Sequence, residues 1–512
     1  MSRTQYTVCS FLSVTLIFLL AIFVQNKMLM NCDASWFVYG ARRVLLEGGS
    51  YLNNYTEINP PLILYLSWPV AFFSHTFHLG ESTVFSVYIF LLSMISLAAC
   101  CFLIQKIFSR HLFNGWLCMA LTAFCMMVLP LGDFGQREHL MIILTFPWFF
   151  SMALRLEKGS IHSGAAFLTG FFAGIGFLIK PYFLISFAFV EIYYVWRNKN
   201  VTACIRADTL AMLLAGLIYV SIIVFRHPDY LAVMFPLLSH AYFALFDYQW
   251  SEVLLTKGLL FYCMAVILYF IQNKQYPYQT VSTVFFLAST GFFLSYLIHR
   301  TPFYYHLYPV FLPAMLVILL AFSSFFYANP FKAGKALFFW FLASFLFVFS
   351  FDYVDDNYQY GIFYADGFKK LITFMKQTVE TKKVYFLTTN GDHVFPMVTD
   401  AGVNYFSKLY GLICMFDMNK QTSLKLGLPL SKESNQNETF FLNIILSEIK
   451  TEKPEFVFVD TRDEKTFFRM VPLNFVNYFS RYAGFREEWQ HYHYLTTIDS
   501  PDLYRYAVYQ RV

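Results

Sequence analysis

The chain has 512 residues, of which 58% are hydrophobic, 21% aromatic and only 13% charged. A soluble globular protein is nearer a quarter charged, so that class is excluded. The formal net charge of +5 is spread over short loops rather than gathered in a patch, which argues against a nucleic-acid partner. The nine cysteines include no CxxC pair and no metal-type spacing, and most lie in apolar runs where a thiol reads as a small core residue.

Long apolar runs recur from residue 8 to residue 351. In lipid the backbone polar groups must be satisfied within the segment, so the runs predict a polytopic α-helical membrane protein with a lipid bilayer as its solvent. The first run lacks a small-residue cleavage site and reads as a retained span. Lys and Arg in short loops orient the spans, with basic loops at Lys106 to Arg110, Arg155 to Lys158, Arg197 to Arg206, near Lys274 and at Lys332 to Lys335. All of these face the cytoplasm only if the run Leu62 to Leu79, with its Pro-Pro start and internal Pro69, does not cross. About eleven transmembrane helices then follow: 8–24, 83–104, 115–131, 140–154, 164–179, 182–196, 207–225, 258–272, 281–298, 307–327 and 336–351. Residues 25–82 form a first outer loop with a re-entrant or juxtamembrane segment.

The division is therefore a transmembrane domain at 1–351 and an extracytoplasmic domain at 352–512. In the latter, Lys382 to Gly391 reads as a strand closing in a turn, Glu438 to Lys450 as an amphipathic helix and Lys453 to Asp460 as a buried strand. His491 to Thr497 and Leu503 to Gln510 flank Ile498 to Asp502 as a terminal hairpin. The expectation is one small C-terminal α/β domain. No internal repeat or low-complexity stretch is visible.

Polar and ionisable residues collect on the outer side: Asp33, Arg42, Arg43, Glu57, Asp133, Arg137, Glu138, His139, Lys180, Arg226, Arg300 and His306. Charges at span ends are costly unless paired or solvated, so their one-sided gathering marks a candidate site. The stretch Asn31 to Pro61 forms its expected main wall. Asp33 stands at the N-cap position of a predicted helix Ala34 to Glu47 and reads either as a cap or as a general base. Arg137 is the best phosphate contact because its fork binds phosphate oxygens in pairs. Lys180, before a proline at a span end, reads as a snorkelling lysine or as a cation for a phosphate leaving group. Arg300 and the Tyr304-Tyr305-His306 cluster read the same way, or as an interfacial aromatic belt. His139 reads as a hydrogen-bonding core histidine rather than a metal ligand. P-loop, Rossmann, HExxH, GxSxG and DxD patterns are absent, so an enzyme here would take its donor from lipid rather than from a soluble nucleotide.

An acid soon after span 1, then Ala41-Arg42-Arg43-Val44-Leu45-Leu46-Glu47-Gly48-Gly49-Ser50-Tyr51 and Asn59-Pro60-Pro61-Leu62, resembles the GT-C superfamily of integral-membrane glycosyltransferases. The chain is similar in particular to the branch of the lipid A aminoarabinose transferase, the protein O-mannosyltransferases and the lipopolysaccharide-core transferases. Gly176 to Pro181 resembles that branch's Lys-Gly-Pro turn, and Tyr304 to Pro309 with Pro313 its late Tyr-x-Leu-Pro segment. Asn59 and His306 stand where the aminoarabinose transferase has a lysine and a tyrosine.

The resemblance implies a polyprenyl-phosphate-linked sugar donor, inverting transfer in one displacement, and a site facing the periplasm or lumen, with a bacterial inner membrane as the expected location. It implies Asp33 as catalytic base, Asp133 or failing that Glu138 as the second acid, and Lys180 as the matching lysine; with the residue reading above, Arg137, Lys180, Arg300 and His306 are expected on the donor phosphate. Arg42, Arg43, Glu57, Asn59, His139, Tyr304 and Tyr305 are then substrate-binding. It names no fixed cofactor and leaves room for a divalent metal with unknown ligands. The acceptor is a cell-envelope glycolipid, polysaccharide or protein. A polysaccharide polymerase and a flippase or transporter of lipid-linked glycans are the rival readings. A transporter would place its ionisable groups near mid-membrane and often show repeats.

Overall fold

The structure is a computed structural model. It describes residues 2–239, 248–328, 333–379, 382–416, 421, 425, 429, 432–463, 465 and 472–512. The loop Arg226 to Lys257 and the basic loop Lys332 to Lys335 lie partly outside these residues. The chain is 72% helical with a small C-terminal sheet. It forms two compact units, each assembled from three stretches: unit 1 is Met1–Met28, Ser86–Val220 and Tyr248–Gly361, and unit 2 is Leu29–Phe85, Ser221–Asp247 and Ile362–Val512.

The helices in chain order are α1 (Arg3–Gln25), α2 (Cys32–Ala41), α3 (Leu62–Phe77), α4 (Glu81–Ile107), α5 (Leu112–Met127), α6 (Arg137–Lys158) and α7 (Ser163–Leu178). Then come α8 (Leu184–Asn198), α9 (Ala207–Arg226), α10 (Lys257–Ile271), α11 (Gln279–His299), α12 (Tyr304–Ala328) and α13 (Ala333–Phe374). Among the described residues six helices are long and apolar enough to cross a membrane: α1, α4, α6, α9, α11 and most of α12. They fit an integral membrane protein. Each of the other apolar runs expected as a span also lies on a helix, several of them shorter. Helix α3 has 16 residues, about 24 Å at helical rise, less than the roughly 30 Å of a hydrocarbon core. It buries Ile63, Leu64, Val70 and Ala71 and exposes Trp68, Phe73 and Phe77.

In unit 1, α6 is the central helix. Every residue from Arg137 to Leu154 is buried, and α6 packs on α7, α11 and α12. By contrast α1 leaves Phe11, Leu12, Leu16 and Leu19 exposed, as a helix facing lipid would. Gly176 lets α7 approach α6 closely, since a Cβ there would meet Thr145 Cγ2 at 2.8 Å.

The ends of α6 carry charge. At its last turn Arg155 pairs with Asp208 at 3.2 Å. Arg206 grips Glu191 through two nitrogens at 2.5 and 3.0 Å and Asp208 at 3.1 Å. Trp148 Nε1 donates to Asp208 Oδ2 at 3.2 Å. This network ties α6, α8 and α9 together. It is what a buried carboxylate requires, because removing one partner leaves an uncompensated charge.

In unit 2 a five-stranded sheet has the order β2-β1-β3-β5-β4. The strands are β1 (Lys383–Leu387), β2 (Asn404–Tyr405), β3 (Phe456–Asp460), β4 (Tyr492–Ser500) and β5 (Tyr504–Arg511). β1 pairs in parallel with both β2 and β3, whereas β3–β5 and β4–β5 are antiparallel. Helix α14 (Lys432–Glu452) lies between β2 and β3 in sequence. β3 is buried at every position, which its unbroken apolar run requires of a central strand. The expected hairpin is present, but β4 runs on through Asp499 and Ser500, which pair with Arg505 and Tyr504. An edge strand tolerates these polar residues because one side of it is exposed.

The first outer segment folds into the same unit. Tyr39 Oη donates to Ser407 O at 2.9 Å, Thr56 N to Lys408 O at 2.8 Å and Lys408 Nζ to Leu52 O at 3.2 Å.

Arg206→Ala would leave Glu191 and Asp208 with Arg155 as the remaining cation of the network. The expected loss is about 3–5 kcal/mol, read as earlier thermal unfolding of the detergent-purified full-length protein. An unchanged transition would show that the network contributes nothing.

Candidate functional site

The predicted site residues fall into two groups, one in each unit. In unit 1 three junctions distant in sequence converge. Glu138 lies in the first turn of α6, Lys180 between α7 and α8, and His306 in the first turn of α12. The sequence suggested loops at 132–139 and 299–306, but the helices begin earlier, at Arg137 and Tyr304. Gln136 caps α6, its side chain accepting from Arg137 N at 3.0 Å, so Arg137, Glu138 and His139 are helical.

Glu138 Oε1 accepts from Lys180 Nζ and lies 3.2 Å from His306 Nδ1. Glu138 is 0% exposed. The charge of Arg137 also reaches it. The His299 and His306 rings lie 3.8 Å apart, and Lys180 Nζ sits 5.8 Å from the Tyr305 ring centre. One carboxylate thus meets two fixed cations, and the N-terminal ends of α6 and α12 add partial positive charge. Such a place suits an anion. Two buried polar atoms there, Glu138 Oε2 and His306 Nε2, have no hydrogen-bond partner among the described residues. A bound hydroxyl or a protonated phosphate oxygen would satisfy Glu138 Oε2, since a carboxylate only accepts.

Other candidates in unit 1 meet neighbours within the same unit. His139 has both ring nitrogens engaged: Nδ1 accepts from Gly135 N at 2.8 Å and Nε2 lies 2.7 Å from Met126 O. Its ring therefore ties the 135 turn to the end of α5. Tyr304 Oη donates to Leu129 O at 2.6 Å. Arg300 lies over the Trp250 ring at 5.2 Å. Asp133 ends a 3-10 turn and is half-buried.

In unit 2, Asn31 rather than Asp33 caps α2, its Oδ1 accepting from Ala34 N at 3.2 Å. Asp33 sits in the first turn, where the helix dipole favours a carboxylate. The helix is also shorter than Ala34 to Glu47: it passes into a π-helical turn at Arg42–Leu46, and Gly48 with φ +73° ends it. Arg42 pairs with Glu81 at 3.0 Å and Arg43 with Glu47 at 2.9 Å. Glu57 bonds to α2 and to its own loop: Trp36 Nε1 donates to Oε2 at 2.6 Å, and Asn59 N and Nδ2 donate to Oε1 at 2.8 and 2.7 Å.

Sequence reasoning missed Asp392. It lies in the turn after β1, where Tyr410 Oη donates to its Oδ1 at 2.6 Å. Cys32 also hydrogen-bonds to it, and its carboxyl is pushed above the usual carboxylate range, first by burial and then by the Asp33 charge. The available signal was the polar run Thr388 to Asp392 closing a buried strand, since ligands of open α/β sheets gather at strand carboxyl ends. Among the described residues no group of three or more His, Cys, Asp or Glu has the geometry to hold a metal ion.

No protein-family model matches the chain, and no curated protein matches its sequence.

Lys180→Met would leave Glu138 buried without its ammonium partner. We expect a loss of about 3–5 kcal/mol in thermal unfolding of the purified protein. Adding Glu138→Gln should return part of it, a coupling of about 1–3 kcal/mol. Strictly additive losses would show that the pair is not coupled.

Proposed function

We propose that the chain is a GT-C-type membrane glycosyltransferase. It moves a monosaccharide, with inversion, from a polyprenyl-phosphate donor to a cell-envelope glycolipid, polysaccharide or protein acceptor. About eleven spans, an inner-membrane location and a periplasmic active side belong to this reading. The observation that carries it is the unit 1 cluster: a buried, net-cationic group of Arg137, Glu138, Lys180 and His306 at two helix N-termini, with Glu138 Oε2 and His306 Nε2 unpartnered.

The reaction makes two demands. The leaving phosphate must be held as its charge grows, and preformed cations in a dry site do this with little reorganisation. Arg137 and Lys180 take this role as the cations, His306 presents a ring nitrogen beside them, and Arg300 lies near one end of α12. The acceptor hydroxyl must lose its proton, which a carboxylate base accelerates by about 10²–10⁴. Asp33 takes that role. Glu138 orients the sugar or phosphate by accepting a hydrogen bond through Oε2. A transporter reading is less favoured, because the cluster occupies the first turns of α6 and α12 rather than mid-helix positions.

Asp33→Asn tests the reading in cells lacking the native copy, with mass spectrometry of lipid-linked sugars and envelope glycans. A polyprenyl-phosphate sugar should accumulate while one glycan loses that same sugar. Normal glycans at a normal protein level would refute Asp33 as base.

A further inference from the structure

Two hydrogen-bond acceptors in unit 1 are left over by the contacts around them. Lys180 Nζ donates to Glu138 Oε1, and His306 Nδ1 lies 3.2 Å from the same oxygen. A carboxylate only accepts, so Nδ1 carries the proton of that contact. A second ring proton would add a cation beside Arg137 and Lys180, which already outnumber Glu138. The ring is therefore neutral, and its Nε2 accepts. Glu138 Oε2 accepts too. Both atoms are buried without a hydrogen-bond partner among the described residues, and Glu138 and His306 are only 0% and 5% exposed. Buried acceptors without donors are costly, and two on groups in contact point to a ligand that donates.

The donor phosphate does not meet that need. Linked to a sugar it is a diester, and its one acid group is ionised at neutral pH, so it has no O–H to give. A sugar ring carries several hydroxyls, each able to donate. An ammonium on the sugar would donate as well, but it would add a third positive charge to the cluster.

The His306 ring is held by its neighbours. Its centre lies 3.8 Å from the His299 ring and 4.1 Å from the Tyr305 ring. His299 is anchored in turn, with Nδ1 2.8 Å from Thr301 Oγ1. Packing that fixes a ring also fixes where its free nitrogen points. Resting on the glycosyltransferase reading, we propose that Glu138 Oε2 and His306 Nε2 accept hydrogen bonds from hydroxyls of the donor sugar, and that His299 is the positioning residue that aims His306. Arg137 and Lys180 then hold the phosphate while the two acceptors read the sugar. A site built this way rejects a sugar lacking the hydroxyl, because its own polar atom stays unpaired.

The test uses the sugar–lipid that accumulates in Asp33→Asn cells, the same lipid deoxygenated at one ring position at a time, and sugar-free polyprenyl phosphate. Each is titrated into detergent-purified, full-length protein while thermal unfolding is followed. Wild type should bind the intact sugar–lipid about tenfold more tightly than at least one deoxygenated form. His306→Asn keeps an N–H for Glu138 and loses the Nε2 acceptor. It should lose the discrimination at one ring position and keep the response to polyprenyl phosphate. His299→Ala should weaken that discrimination, and His299→Phe, which restores a ring against His306, should recover it. Full discrimination in His306→Asn, or equal binding of every deoxygenated form by wild type, would overturn the proposal and leave the glycosyltransferase reading intact. Loss of the polyprenyl phosphate response in His306→Asn would overturn it too, by placing His306 on the phosphate. If Asp33→Asn cells accumulate no sugar–lipid, both fall.

Discussion

The ion pair between Lys180 and Glu138 is the constraint on which unit 1 depends. A carboxylate with no exposure in an apolar helix bundle costs several kcal/mol unless a cation meets it. Its partner comes from another junction in the chain, so α6 and the α7–α8 turn must arrive at the same place. His306 extends the requirement to α12. At the far end of α6 the Arg155, Arg206, Glu191 and Asp208 network applies the same rule to α8 and α9. The two ends differ in one respect. The Arg206 guanidinium is matched by two carboxylates, whereas the Glu138 cluster holds more positive than negative charge and leaves polar atoms unpartnered.

Unit 2 solves a related problem with aromatic residues. Trp36, Tyr39, Phe395, Tyr405 and Tyr410 pack with ring centres roughly 5–6 Å apart. Their polar ends find partners: Trp36 on Glu57, Tyr39 on Ser407 O, Tyr405 on Leu409 O and Tyr410 on Asp392. This packing fixes α2 against the turn after β1.

The apolar helices were legible because runs of that length admit few alternatives, and β1, β3, β4 and β5 because Val, Phe and Tyr clustered between turn residues; the two-residue β2 is too short to leave such a pattern. Helix starts were less legible. Asn31 and Gln136 take the capping roles, which moves Asp33, Arg137 and Glu138 inside their helices. The convergence of the Glu138, Lys180 and His306 junctions was readable from the one-sided placement of charge. Which members pair with which was not, since Glu57, Arg42 and Arg43 resemble site residues in sequence yet meet nearby partners. Asp392 was hidden because α2, which packs on its turn, lies hundreds of positions earlier.

The most direct test of the account is binding of a phosphate lipid to the unit 1 cluster. Detergent-purified protein would be titrated with polyprenyl phosphate, and with polyprenol of the same chain length, while thermal unfolding is followed. A ligand that binds the folded state raises its stability with concentration. The account predicts that the phosphate stabilises wild type, that the alcohol does not, and that the difference disappears in Arg137→Met. Equal responses to phosphate and alcohol in the wild type would contradict it.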